Sequence, residues 1–107
     1  MMRVYIAGPI KGVPDGNRSA FAERADQLRA GGYEPLNPWD LSPDGHPGPC
    51  IGDEIGQPHR YGCYLRADIA EMMFCDGITM LRGWRNSKGA VTEYQVATAL
   101  GLELVEL

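Results

Sequence analysis

The stretch Arg3-Val4-Tyr5-Ile6-Ala7, stopped by Gly8-Pro9, decides the fold. A short apolar run bounded by turn residues predicts a buried strand. Further strands are predicted at residues 33–36, 77–81 and 102–107, and helices at 17–30, 64–74 and from 87 onward. The alternation of strands and helices predicts βαβ units, and therefore an α/β protein with a parallel sheet of four to five strands between layers of flanking helices.

The first predicted helix shows an apolar stripe typical of packing against such a sheet. Phe21, Ala25 and Leu28 recur at helical spacing, with Ala22 on the flank of the same side, and Gly31-Gly32 ends the helix. Residues 1–107 are expected to form a single domain. Ligands of open parallel sheets bind beyond the carboxyl ends of the strands, so the loops that follow each strand deserve the closest inspection.

The composition restricts the class of partner. The 107 residues are 44% hydrophobic and 22% charged, as in ordinary globular proteins, and the net charge is −4. That charge argues against a nucleic-acid polymer but leaves room for a single nucleotide. No apolar run is long enough to span a membrane, and no signal peptide is expected. Three cysteines, an odd number, indicate a reducing compartment, so a cytoplasmic location is predicted.

Residues 37–62 form a segment rich in proline and glycine without a usable period. A loop of this length usually has a functional purpose. Four residues in or next to it have the chemistry of zinc ligands, namely His46, Cys50, His59 and Cys63. Their spacing matches no common zinc module, so free loop residues are the preferred interpretation, and neither a metal nor another cofactor is expected.

Glu93 is the first candidate for chemistry. In the predicted helix that follows Asn86-Ser87-Lys88-Gly89, a projection of about 100° per residue places Glu93 on the apolar side. Its neighbours on that side are Ala90, Val96, Ala97 and Leu100. Charged side chains are almost never buried without a partner or a function. The alternative is an acid that only complements the positive N-terminal end of the helix.

Asp68 is a second acid on the apolar side of a helix, between Leu65 and Met72. Two carboxylates near a ligand-binding edge permit nucleophilic and acid–base roles if their surroundings separate their pKa values. The alternative interpretation is that Asp68 forms an ion pair with Arg66 or Arg60.

The start of the last predicted helix offers an anion site. The Ser87 hydroxyl, with the backbone amides of Lys88 and Gly89, could hold a phosphate, although Ser87 could equally be a simple N-cap. Trp84 lies in a polar loop between two arginines and could stack on a base or cover the sheet edge. The Tyr5 side chain could pack in the hydrophobic core or line the ligand-binding site.

Taken together, these segments resemble the nucleoside 2-deoxyribosyltransferase superfamily, which includes the 2′-deoxynucleoside 5′-monophosphate N-glycosidases. The resemblance is greatest to a small, phage-rich branch of that superfamily. The matching segments are residues 5–12, 37–38, 64–68, 75–78 and 87–90, followed by Glu93, Ala97, Leu100 and Gly101. They cover nearly the whole chain in order, apart from the long loop.

The resemblance implies a flavodoxin-like sheet and cleavage of an N-glycosidic bond. It assigns Glu93 as the nucleophile, Asp68 as the residue that positions the substrate and assists proton transfer, and Tyr5 as part of the sugar pocket. The remaining substrate-binding residues that it implies are Gly8, Ile10, Lys11, Ser87, Lys88 and Gly89. At the position of Ser87 the transferases usually have Asp, whereas the monophosphate hydrolases have Ser, which would not repel a phosphate.

The expected function is therefore hydrolysis of the base–deoxyribose bond of a nucleoside 5′-monophosphate. The alternatives are a nucleoside 2-deoxyribosyltransferase and a non-catalytic nucleotide-binding or sensor module. Relatives continue past the last strand, and in their oligomers that tail completes a neighbouring site. We expect a homodimer or higher homo-oligomer here. Residues 37–62 are the other expected source of the phosphate- or base-binding residues that the tail supplies in those relatives.

Overall fold

Strands and helices alternate along the chain in the computed structural model, which describes residues 1–40 and 61–107, with side chains from residue 65 in the second range. The strands are β1 (Arg3–Ala7), β2 (Glu34–Leu36), β3 (Gly77–Met80) and β4 (Glu103–Leu104). The helices are α1 (Arg18–Ala30), α2 (Tyr61–Met72) and α3 (Lys88–Ala99). Short 3-10 turns lie at Pro14–Asn17, Pro38–Asp40 and Trp84–Asn86. None of the helices in the described ranges is both long and apolar enough to cross a bilayer.

The four strands form one parallel sheet in the order β2-β1-β3-β4. Tyr5 on β1 is aligned with Leu36 on one side and with Ile78 on the other. The chain thus forms β2 on one side of β1 and later forms β3 on the opposite side of β1. In sheets of this kind the crevice between the two strands where the direction reverses is the usual ligand site.

The alternation of side chains along β1 divides the core into two layers. Val4 and Ile6 pack with Phe21, Ala25 and Leu28 of α1 on one face. On the other face, Tyr5 and Ala7 pack with residues that include Met72 of α2, Ile78 and Ala97 of α3. The sheet therefore lies between α1 and the α2–α3 pair, and the predicted three-layer α/β fold is confirmed.

Several expected details were wrong at the ends of elements. The helix predicted to begin at residue 64 begins at Tyr61, and β4 covers only two of the six residues predicted. Leu100 is 50% exposed because it is the C-cap of α3, where the helical projection no longer holds. Ala22 is exposed because the buried stripe of α1 consists only of Phe21, Ala25 and Leu28.

Candidate active site

A buried acid–phenol pair joins β1 to α3. The Tyr5 hydroxyl donates a hydrogen bond to Oε2 of Glu93, although the two residues are 88 positions apart in sequence. Tyr5 is fully buried and Glu93 is 6% exposed. The predicted inward orientation of Glu93 is confirmed. The Tyr5 ring packs in the core while its hydroxyl binds Glu93, and its place in a sugar pocket stays a prediction.

Asp68 belongs to the same cluster. Burial raises the pKa of Asp68 to about 7, and the nearby Tyr5 hydroxyl opposes part of that shift. Burial, followed by the charge of Asp68, raises the pKa of Glu93 to about 8, again against the Tyr5 hydrogen bond. The pKa of Tyr5 lies well above its ordinary value because of burial and the two neighbouring acids. Two acids that influence each other in this way titrate as a pair.

Neither acid of this cluster forms a salt bridge with the residues that the structure describes. The alternative pairing of Asp68 with Arg66 is therefore not formed, while Arg60 lies outside the described residues. A buried acid such as Glu93 beside the half-buried Asp68 is costly to maintain in its charged form without a cation. Such clusters of perturbed acids are characteristic of functional sites.

The N-terminal end of α3 is built as the sequence suggested. The Ser87 side chain accepts a hydrogen bond from the Ala90 amide at 3.2 Å, which makes Ser87 the N-cap. Lys88 and Gly89 are the first helical residues, and the amides of such residues have no acceptor within a helix. The capping alternative for Ser87 is thus confirmed, and its hydroxyl hydrogen together with those amides can still face an anion.

The loop after β1 carries the remaining predicted contacts. Lys11 is exposed, whereas Ile10 packs against the core layer on the α1 face, opposite to Tyr5 and Glu93. Gly8 is buried, and a Cβ atom there would lie 2.6 Å from the Leu81 Cβ atom. Close packing against Leu81 therefore requires glycine at position 8, whether or not a ligand also approaches it.

A Gly8→Ala substitution tests this packing requirement. Because the added methyl group overlaps Leu81, we expect the free energy of unfolding to fall by about 1–3 kcal/mol in urea denaturation. Gly31→Ala is the matched control, since a Cβ atom there meets its neighbours at an ordinary 3.4 Å and should change stability by less than about 0.5 kcal/mol. Equal stability of the two variants would contradict this explanation of Gly8.

Trp84 packs on α3 near the end of the sheet. Its ring lies 4.8 Å from the Tyr94 ring, centroid to centroid, at a tilt of 36°. The Arg85 guanidinium lies over it at 4.7 Å. The ring lines a groove together with residues of α1 and β4, and stacking of Trp84 on a base stays a prediction.

The comparisons with known proteins agree with this architecture. The family described as "Domain of unknown function (DUF4406)" matches residues 2–106. The chain belongs to the DUF4406 family. A conserved protein from Enterococcus faecalis V583, known from its crystal structure, has the same fold with a TM-score of 0.64 at 20% identity. The match covers 97% of this chain but only 61% of that protein. No curated protein matches the chain.

Three contacts in this DUF4406 chain were not predicted from its sequence. The Trp39 indole donates to the Gly16 carbonyl at 3.2 Å, and the Arg18 guanidinium lies 4.2 Å from the Trp39 ring. Arg24 donates to the hydroxyl of the buried Thr79 at 2.7 Å. A buried threonine in an apolar strand is the one signal that could have indicated a polar partner.

The suggested zinc ligands His46, Cys50 and His59 lie outside the described residues, and so does the side chain of Cys63. Their metal binding stays a prediction. The third cysteine, Cys75, is a buried free thiol whose pKa is raised to about 11, mainly by burial.

The acid pair should make stability depend on pH. In the folded chain the pKa is about 7 for Asp68 and about 8 for Glu93, against ordinary values of 3.8 and 4.5. At pH values between the ordinary and the raised pKa, the folded chain therefore binds more protons than the unfolded chain. Stability is then complete at low pH and is lost as pH rises through the folded pKa values. From about pH 5 to about pH 8.5, we expect the free energy of unfolding to fall by on the order of 2–4 kcal/mol.

Urea denaturation across that pH range measures this effect, and Glu93→Gln provides the comparison. The variant carries no titrating group at position 93, so about half of the pH dependence should disappear, while the buried Asp68 keeps its own share. An unchanged dependence in the variant would place the cause elsewhere in the chain.

Proposed function

We propose that this protein is an N-glycosidase that hydrolyses the base–deoxyribose bond of a deoxynucleoside 5′-monophosphate. The observation that carries the proposal is the buried cluster of Tyr5, Asp68 and Glu93 at the reversal point of a parallel sheet. A binding site for a neutral or anionic ligand has no need of the buried Glu93 beside a half-buried Asp68, with no cation paired to either acid among the described residues. A glycosidic reaction uses both, one as nucleophile and one in proton transfer.

In the proposed reaction, a carboxylate oxygen of Glu93 forms a bond to the anomeric carbon of the sugar. The carbon–nitrogen bond breaks, its electron pair remains on the base, and the base takes up a proton with the assistance of Asp68. The resulting glycosyl ester is then hydrolysed by water, which restores Glu93 and releases the sugar phosphate. The hydrogen bond from Tyr5 stabilises the carboxylate form of Glu93, and burial keeps a proton on the pair near neutral pH.

The N-terminal end of α3 is the part of the site where we propose that the phosphate of the substrate binds. Glu93 follows Ser87 by six positions, which corresponds to about 9 Å along the helix axis. Over that distance one nucleotide could contact the two groups at once. The amides of Lys88 and Gly89 and the positive end of the helix would receive the phosphate, with the Lys88 ammonium as a further charge.

The resemblance to nucleoside 2-deoxyribosyltransferase-like proteins supports the same chemistry. Within that resemblance, Ser at position 87 favours the monophosphate hydrolases. We further assign a cytoplasmic location, on the odd cysteine count, and a homo-oligomeric assembly in which a second copy contributes to a shallow nucleotide pocket.

The decisive experiment incubates the protein with a panel of deoxyribo- and ribonucleoside monophosphates and the corresponding nucleosides, with and without a free acceptor base. Chromatography then follows the released base. Release of base from deoxynucleotides in water alone supports the hydrolase, and products that form only with an acceptor base would instead establish a transferase. Saturable binding without any product would establish a nucleotide-binding module and overturn the enzymatic proposal.

A further inference from the structure

A groove follows the carboxyl ends of β3 and β4 and has a volume of about 300 Å³. Its lining residues are Arg24, Thr79, Met80, Trp84, Arg85, Tyr94 and residues 104–107. We call it the Arg24 groove. Neither acid of the candidate active site is among these lining residues.

Arg24 enters this groove as a fixed, half-buried cation. Its Nη1 donates to the Thr79 hydroxyl at 2.7 Å and to the Met80 carbonyl at 3.3 Å, and its Nε donates to the Gln27 side chain at 3.1 Å. These acceptors are all uncharged, and no carboxylate of the described residues lies within salt-bridge distance of the guanidinium. Nη2 makes no hydrogen bond with those residues and remains available to a ligand.

Arg85 provides a second cation on an aromatic wall. Its guanidinium lies over the Trp84 ring, and the Tyr94 ring lies against Trp84 at 4.8 Å. A guanidinium held on an aromatic face keeps its outer N–H groups free for an anion. Leu104, Val105 and Leu107 supply apolar surface in the same groove.

We propose that the Arg24 groove is a binding site for a small organic anion with a flat apolar body, such as an aromatic phosphate or carboxylate. The acidic group would be held between the Arg24 and Arg85 guanidinium groups, because planar guanidinium groups bind phosphate and carboxylate oxygens in pairs. The apolar body would lie against the aromatic wall and the leucine side chains. The volume is at the lower limit for small-molecule sites, which restricts the ligand to one or two rings.

The aromatic wall distinguishes this groove from its neighbour. A groove on the other side of Arg24 has the same balance of charged side chains, Arg24 and Arg82 against Glu23, but no aromatic residue lines it. In the Arg24 groove the one carboxylate side chain among the lining residues is Glu106, which is exposed. A flat apolar body therefore favours the Arg24 groove, because only that groove offers Trp84 and Tyr94.

Titration followed by nitrogen–proton NMR tests the proposal, with phenyl phosphate as the probe. The two indole signals of the chain belong to Trp39 and Trp84 and are assigned with a Trp84→Phe variant. Phenyl phosphate should shift the Trp84 indole signal in a saturable manner. Benzyl alcohol, which lacks the charge, and inorganic phosphate, which lacks the ring, should each bind at least about tenfold more weakly.

Arg85→Gln should weaken the binding of phenyl phosphate at least about tenfold, whereas Arg82→Gln, an exposed arginine outside the groove, should leave it unchanged. Glu93→Gln should also leave it unchanged, which separates this site from the proposed reaction. The proposal is overturned by the absence of a saturable Trp84 shift, by equal binding of benzyl alcohol, or by equal binding to the Arg85→Gln variant. Shifts confined to the amides of Lys88 and Gly89 would likewise overturn it, because the anion would then occupy the end of α3.

Discussion

A Glu93→Gln variant is expected to lose base release by at least about 1,000-fold in kcat, with little change in KM. Glutamine preserves the shape of the side chain and still accepts the Tyr5 hydroxyl, so the buried contact survives. An amide oxygen cannot form the glycosyl ester, so the loss falls on the chemical step. Single-turnover measurement of released base determines the change.

Glu103→Gln is the matched control, because it removes the same charge from an exposed position on β4. Its activity should stay within about twofold of the unchanged protein. Circular dichroism verifies that both variants are folded. A Glu93→Gln variant that releases base at the original rate would contradict the assignment of Glu93 as the nucleophile.

A Ser87→Asp variant should lose its preference for phosphorylated substrates. Aspartate is as good an N-cap as serine, so helix α3 keeps its start. Its negative charge would lie beside the phosphate of the substrate, and repulsion should raise KM for a 5′-monophosphate about 100-fold. The corresponding nucleoside has no phosphate and should be used no worse than before.

Ser87→Asn separates charge from shape in this experiment, since asparagine caps helices as well as aspartate does but is neutral. It should retain most of the activity on the monophosphate. A similar KM for the monophosphate in the Asp and Asn variants would show that the phosphate does not bind at this end of α3.

The fold was largely predictable from the sequence because its elements have strong local signals. The run Arg3–Ala7 and the apolar stripe of α1 indicated their elements directly. The ends of elements were less predictable. The periodicity of α3 gave no indication that Leu100 already caps the helix, because a projection assumes that the helix continues.

The candidate site was predictable only where a residue's position depends on neighbours in the same element. Helical spacing placed Glu93 inward, and this depends only on neighbours along the same helix. The partner of Thr79 could not be predicted, since Arg24 lies 55 positions away and a long side chain on a helix flank is usually solvated. The same holds for Trp84, whose neighbour Tyr94 is determined by how α3 docks on the sheet.

The hydrogen bond between Tyr5 and Glu93 joins the first strand of the chain to its last helix. A contact between such distant positions closes a long loop, and its entropic cost is repaid only while α3 is docked on the sheet. Any local opening that detaches α3 from β1 therefore separates the Tyr5 hydroxyl from the Glu93 carboxyl and takes the acid cluster apart.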